Sequence, residues 1–134
     1  ICFNHESEQR NTNFLFGKLL KLTKNLKNKK KFVFGNLNIV RDWGLSKEYV
    51  EAYFKILNQK KLEDFIIATG KSFSIKQIFI KILGKKIFKE KIIFDKKLKR
   101  MNEIFYSYAD PRKIRTKLGW KAYLTVIDLF KKYG

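Results

Sequence analysis

The chain of 134 residues carries 31 basic against 12 acidic side chains, a formal net charge of +19, and is 45% hydrophobic and 16% aromatic. That length and apolar content suit one modest domain with a packed core and argue against disorder. Cys2 is the sole cysteine and His5 the sole histidine, which rules out an internal disulfide and a histidine-based metal cluster.

No run approaches the ~20 apolar residues of a membrane span, and no secretory leader pattern is present. A cytoplasmic protein with no membrane partner is expected. The charge alone suits a nucleic-acid-binding module. However, the basic residues are lysines apart from Arg10, Arg41, Arg100, Arg112 and Arg115, scattered along the whole chain mostly singly and in pairs. That distribution reads as compositional bias, so no nucleic-acid partner is expected.

Ile1 to Phe3 reads as the end of a strand, with Cys2 a small buried hydrophobe, and Asn4 to Arg10 as a polar loop. Asn13 opens an amphipathic helix with Phe14, Leu15, Lys18, Leu19 and Leu22, ending near Lys27 and Asn28. Phe32 to Phe34 is a short strand closed by Gly35 and Asn36. A short apolar run then meets a polar corner, Arg41-Asp42-Trp43 before Gly44. The second helix spans about Ser46 to Leu57, with Val50, Tyr53, Phe54 and Leu57 on one face.

Asp64 to Ala68 reads as a buried strand broken at Gly70. Ser74 and Gln77 make a capping box, with Ile75, Ile78, Phe79 and Ile82 as the stripe behind it. Ile92 to Phe94 is a further strand. Asp110 caps a helix with Pro111 at its first position; it carries Ile114 and Leu118 and stops at Gly119. Thr125 begins a last helix with Val126, Leu129 and Phe130. Strands separated by helices imply an α/β layout.

An arginine beside an acid and an indole, at the mouth of a helix, can clamp an anion. The fork takes a phosphate in bidentate fashion and the acid holds the fork. Arg41 and Asp42 read equally well as a surface ion pair of little worth. By themselves His5 is a polar-loop residue, Lys18 a solvated one and Arg100 one more charge after Lys96, Lys97 and Lys99.

Linked motifs alter that balance. Asn4-His5-Glu6-Ser7, Gly35-Asn36-Leu37-Asn38, Arg41-Asp42-Trp43-Gly44, Glu48-Tyr49-Val50-Glu51-Ala52 and Glu63-Asp64-Phe65-Ile66-Ile67-Ala68-Thr69-Gly70 follow one another in order. This series resembles the GDP-mannose 4,6-dehydratases, members of the extended short-chain dehydrogenase/reductases. The likeness covers nearly the whole chain and the C-terminal part of such an enzyme. It implies an α/β fold in which residues 1–134 form the substrate-binding portion of a longer Rossmann-type enzyme, the N-terminal dinucleotide-binding half being absent.

The resemblance implies an NADP cofactor bordered by His5 and Arg10, and a GDP-mannose or related GDP-sugar substrate met by Asn4, Leu15, Lys18, Arg41, Arg100 and Glu103. Asn4 would face the nucleotide-sugar, Arg41 and Arg100 its diphosphate, and Glu103 the ribose hydroxyls or the base. The implied reaction oxidises C4 of mannose, removes water across C5 and C6 and returns the hydride to C6. A homo-oligomer is implied for the complete enzyme.

The chain departs from the family pattern in places. Ser7-Glu8-Gln9-Arg10-Asn11-Thr12 stands where the family reads Ser-Pro-Arg-Arg-Gly-Glu, in a loop that reaches a neighbouring subunit. Phe16 and Gly17 break the following helix motif, and a helical glycine costs up to about 1 kcal/mol. Met101 replaces the proline after Arg100, and Phe105 an acid after Ile104. None of the seven glycines forms the Gly-x-x-Gly-x-x-Gly phosphate turn, and no tyrosine has lysine four residues on. No catalytic residue and no metal ligand is therefore assigned, and the isolated chain is expected to be inactive. The alternatives are a GDP-heptose 4,6-dehydratase, a GDP-4-keto-6-deoxymannose reductase, an inactive gene fragment and, from another class, a basic nucleic-acid-binding module.

Overall fold

The computed structural model describes residues 1–27, 31–98 and 102–134. Asn28, expected near the end of the first helix, and Arg100, an expected diphosphate ligand, lie outside the described residues.

The described elements are β1 (Asn4–Glu6), α1 (Leu15–Lys24), β2 (Phe32–Phe34), β3 (Val40–Leu45), α2 (Ser46–Leu57), β4 (Ser72–Ser74), α3 (Ile75–Lys91), β5 (Ile92–Phe94), a 3₁₀ turn (Lys96–Leu98), α4 (Arg112–Leu118) and α5 (Val126–Tyr133). A three-stranded sheet has the order β1-β3-β4, with β1 and β3 parallel and β3 and β4 antiparallel. A separate parallel pair joins β2 to β5. The layout is α/β, as expected.

Local chemistry sets several boundaries. Ser74 Oγ accepts the Gln77 N–H at 3.1 Å and Gln77 Oε1 accepts the Ser74 N–H at 2.8 Å, which closes the expected capping box. Gly84, at φ 79°, interrupts α3. Gly119, at φ 61°, ends α4 in the left-handed conformation expected of it. Pro111 occupies the cap position rather than the first helical one, and Asp110 Oδ1 accepts the Arg112 N–H at 3.1 Å.

Other expectations are corrected. Asn4 to Glu6 is a strand rather than a loop, because its backbone finds a partner at residues 43–45. Arg41 and Asp42 likewise sit inside β3, not at a corner. Residues 64–68 are held near their end by a bridge between Ile67 and Cys2 rather than by a strand ladder, although Phe65, Ile67 and Ala68 are buried. Cys2 is exposed, with Sγ 2.8 Å from the Tyr53 hydroxyl. On α2 the expected core face is wrong. Val50, Phe54 and Leu57 are 60%, 70% and 79% exposed and Tyr53 lies at the surface, while Tyr49 and Ala52 point inward.

Two apolar clusters result. The larger gathers Phe16, Leu19 and Leu22 of α1, Trp43 of β3, Ile78 and Phe79 of α3, and Leu129 and Phe130 of α5. The smaller packs Tyr49 and Ala52 against Phe65, Ile67, Ile114 and Trp120. The cavity described next is walled by α1, β1 and β3.

Candidate functional site

Strand alternation decides which side chains of β1 and β3 meet. In β1, Asn4 and Glu6 face a cavity of about 560 Å³. Arg41 and Trp43 enter it from β3, and Leu15 and Lys18 from α1. Glu103 and Ile104 complete it from a segment far along the chain. That segment is fixed by backbone pairing: the Val40 N–H donates to Phe105 O at 2.8 Å and the Ser107 N–H to Val40 O at 3.1 Å.

Arg41 is anchored by two carbonyls. Its Nη1 donates to Val40 O at 2.8 Å and its Nη2 makes a short bond to Ile104 O. Asp42 does not hold the fork, contrary to expectation. Being the next residue in a strand, it points to the opposite face. There its carboxylate is fully buried and accepts the Thr69 N–H at 3.0 Å, the Thr69 hydroxyl at 2.8 Å and the Gly70 N–H at 2.7 Å. Burial pushes the Asp42 carboxyl upward and these hydrogen bonds oppose the shift.

Gly17, a departure from the family pattern, has a steric cause. A Cβ there would stand 2.3 Å from Asn11 O, so the glycine lets the loop carrying Arg10 lie directly on α1. Arg10 stacks its guanidinium 4.0 Å from the Phe14 ring centre and sets Nε 2.9 Å from Glu6 Oε2. That contact is off the hydrogen-bonding direction, so Oε2 accepts no aligned hydrogen bond among the described residues. Burial pushes the Glu6 carboxyl up to about 7, partly offset by the Arg10 charge. Glu103 Oε2 is also buried with no hydrogen-bond donor among the described residues.

A second cavity of about 260 Å³ is lined by Cys2, Phe3, Asn4, His5, Glu6 and Arg10. His5 Nδ1 lies 3.0 Å from Phe3 O, and its ring centre is 5.0 Å from that of Tyr49. Asn4, Glu6 and Arg10 line both cavities. The expected sugar-nucleotide residues Asn4, Leu15, Lys18, Arg41 and Glu103 thus share the larger cavity, and the expected cofactor residues His5 and Arg10 share the smaller. Sequence reasoning gave no role to Glu6. Its place in the Asn4-His5-Glu6-Ser7 motif was visible, but its burial was not. No cluster of His, Cys, Asp and Glu suited to a metal occurs among the described residues.

The family model described as GDP-mannose 4,6 dehydratase matches residues 1–133. The chain belongs to the GDP-mannose 4,6 dehydratase family. It is 33% identical to GDP-mannose 4,6 dehydratase 2 of Caenorhabditis elegans, over 98% of this chain and 40% of that protein. It is 32% identical to the Homo sapiens GDP-mannose 4,6 dehydratase, over 98% of this chain and 41% of the human protein. The chain therefore spans about two fifths of the length of these relatives.

Among solved structures, the dTDP-glucose 4,6-dehydratase of Bacillus anthracis in complex with NAD superposes with a TM-score of 0.80 at 16% identity, over 98% of this chain and 41% of that one. RMD from Pseudomonas aeruginosa complexed with NADPH gives 0.78 at 16% identity, over 97% and 44%. These likenesses establish the fold, an α/β arrangement shared with about two fifths of each of those chains.

Proposed function

We propose that the chain is the sugar-nucleotide-binding portion of a GDP-mannose 4,6-dehydratase, an enzyme converting GDP-mannose to GDP-4-keto-6-deoxymannose. One observation carries this reading. The larger cavity sets the cations Arg10, Lys18 and Arg41 beside two carboxylate oxygens, on Glu6 and Glu103, that lack hydrogen-bond donors. Guanidinium and ammonium groups suit a diphosphate, and carboxylates suit ribose or hexose hydroxyls. Family membership and the match over residues 1–133 support the choice of GDP-mannose. Arg100 would add a further guanidinium for the diphosphate, and residues 1–134 would act as one substrate-binding unit.

A nicotinamide dinucleotide, NADP in this reading, would meet His5 and Arg10 at the smaller cavity. The fit is to one edge of such a group: an imidazole and one guanidinium suit a polar rim, and the chain's glycines supply no phosphate turn. The cofactor supplies the hydride chemistry. This chain's residues bind and orient the sugar beside it. The polypeptide alone does not turn over GDP-mannose, and the complete enzyme is a cytoplasmic homo-oligomer. No helix among the described residues is long and apolar enough to cross a membrane.

Isothermal titration of the protein with GDP-mannose tests the reading. Micromolar binding, weakened at least about tenfold by Arg41→Ala, is expected from loss of a charge-assisted contact worth roughly 1.5–3 kcal/mol. Absence of binding, together with salt-steep affinity for DNA, would favour the basic-module alternative.

A further inference from the structure

The proposed function leaves the wall between the two cavities unexplained. Glu6 stands in that wall, and its side chain is 4% exposed. The parallel register of β1 on β3 sets it opposite Leu45 and turns it to the same side as Asn4. A carboxylate rarely stays buried without donors, because desolvation costs more than one off-axis ion pair returns. Glu6 lines the larger cavity, and Arg10 Nε gives charge at 2.9 Å but no aligned N–H to its enclosed Oε2, so the carboxylate is incompletely satisfied among the described residues.

We propose that Glu6 is a hexose-binding carboxylate: it accepts a hydroxyl of the sugar in the larger cavity while its ion pair with Arg10 holds that guanidinium in the wall shared with the smaller cavity. This rests on the sugar-nucleotide reading above and names the group that meets the sugar. The cations of the cavity suit phosphate oxygens, and a hexose beyond them presents hydroxyl donors. Glu6 and Asn4 are the polar side chains that reach both cavities from β1.

The carboxylate must be ionised to accept the hydroxyl while attracting Arg10. Burial holds its pKa at about 7, so ionisation is incomplete near neutrality. The titratable and charged groups that line the two cavities with it are Arg10 from the loop after β1, His5 from β1, Arg41 from β3, Lys18 from α1 and Glu103 from the facing segment. Burial raises its pKa and the Arg10 charge lowers it.

Titration of the protein with GDP-mannose between about pH 6 and about pH 8 is the test, since a diphosphodiester itself does not ionise there. Affinity is expected to rise about tenfold with pH, as the competent fraction grows. Glu6→Gln is expected to be flat across the range and about tenfold weaker than wild type at the upper end, and Glu6→Asp to keep the pH slope. A circular dichroism melt checks that each variant is folded. Should Glu6→Gln fail to fold, deoxy analogues of GDP-mannose on the wild-type protein give the same answer: one analogue loses the slope.

A flat wild-type profile, a slope retained in Glu6→Gln, or a slope kept by every deoxy analogue overturns the assignment of Glu6 and leaves the sugar-nucleotide reading standing. No binding of GDP-mannose at either pH overturns both.

Discussion

The two apolar clusters differ in what surrounds them. The larger is packed between α1, β3, α3 and α5, and its residues Phe34, Trp43 and Ile75 also line the cavity. The smaller is covered by α2 on one flank, and the outer flank of α2 still exposes Val50, Phe54 and Leu57. Both helical faces of α2 are apolar, so composition alone does not say which is core. A buried face is decided by what lies opposite it.

The sharpest way to break this contrast is to truncate one leucine on each side. Leu129 is fully buried in the larger cluster, and Leu129→Ala is expected to cost about 2–5 kcal/mol in urea unfolding. Leu57→Ala, on the open face of α2, is expected to change stability by less than about 0.5 kcal/mol. Equal losses would show that the outer face of α2 is covered in solution.

Glu6 ties the larger cluster's cavity to pH. Its pKa rises from an ordinary 4.5 to about 7 in the fold, so the folded state retains a proton that the unfolded state has released. Stability should therefore fall as pH rises from about 4.5 to about 7, by on the order of 3 kcal/mol, and level off above. Glu6→Gln should remove that slope in denaturation curves taken across the window.

Gly17 offers a test of sign. Helix propensity alone predicts that Gly17→Ala stabilises α1 by up to about 1 kcal/mol. The 2.3 Å approach of a Cβ to Asn11 O predicts destabilisation of about 1–3 kcal/mol instead, with weakened GDP-mannose binding as the Arg10 loop lifts. A small effect is expected in the lesser cluster. Tyr49 is fully buried, and its hydroxyl has no hydrogen-bond partner among the described residues. Burial raises its pKa far above the ordinary value, so it stays protonated. Tyr49→Phe should be neutral or stabilising by up to about 1 kcal/mol, measured by thermal melting, because it removes an unpaid desolvation.

Much of the frame was readable from local pattern. The Ser74 and Gln77 capping box, the span of α2 and the stop at Gly119 rest on contacts between near neighbours, while the short strands at 32–34 and 92–94 show as apolar runs although they pair with each other across the chain. The failures share one character. Arg41 and Asp42 are adjacent in sequence and were read as one clamp, yet a strand sends them to opposite faces. Arg41 is instead fixed by a carbonyl 63 residues away. Asn4 to Glu6 looks like a loop because its residues are polar, and it becomes a strand because residues 43–45 supply a ladder.

What the amino-acid order determined by itself was the run of motifs that assigns the family, and the helices whose ends are capped within three or four residues. Tertiary structure alone decided which face of α2 is solvent, which acid is left without a donor, and that Arg10 and Glu6 divide two cavities. The reason is range. Caps and periodicity act over one or two helical turns, whereas burial and hydrogen-bond satisfaction are set by segments that meet only once the chain has closed on itself.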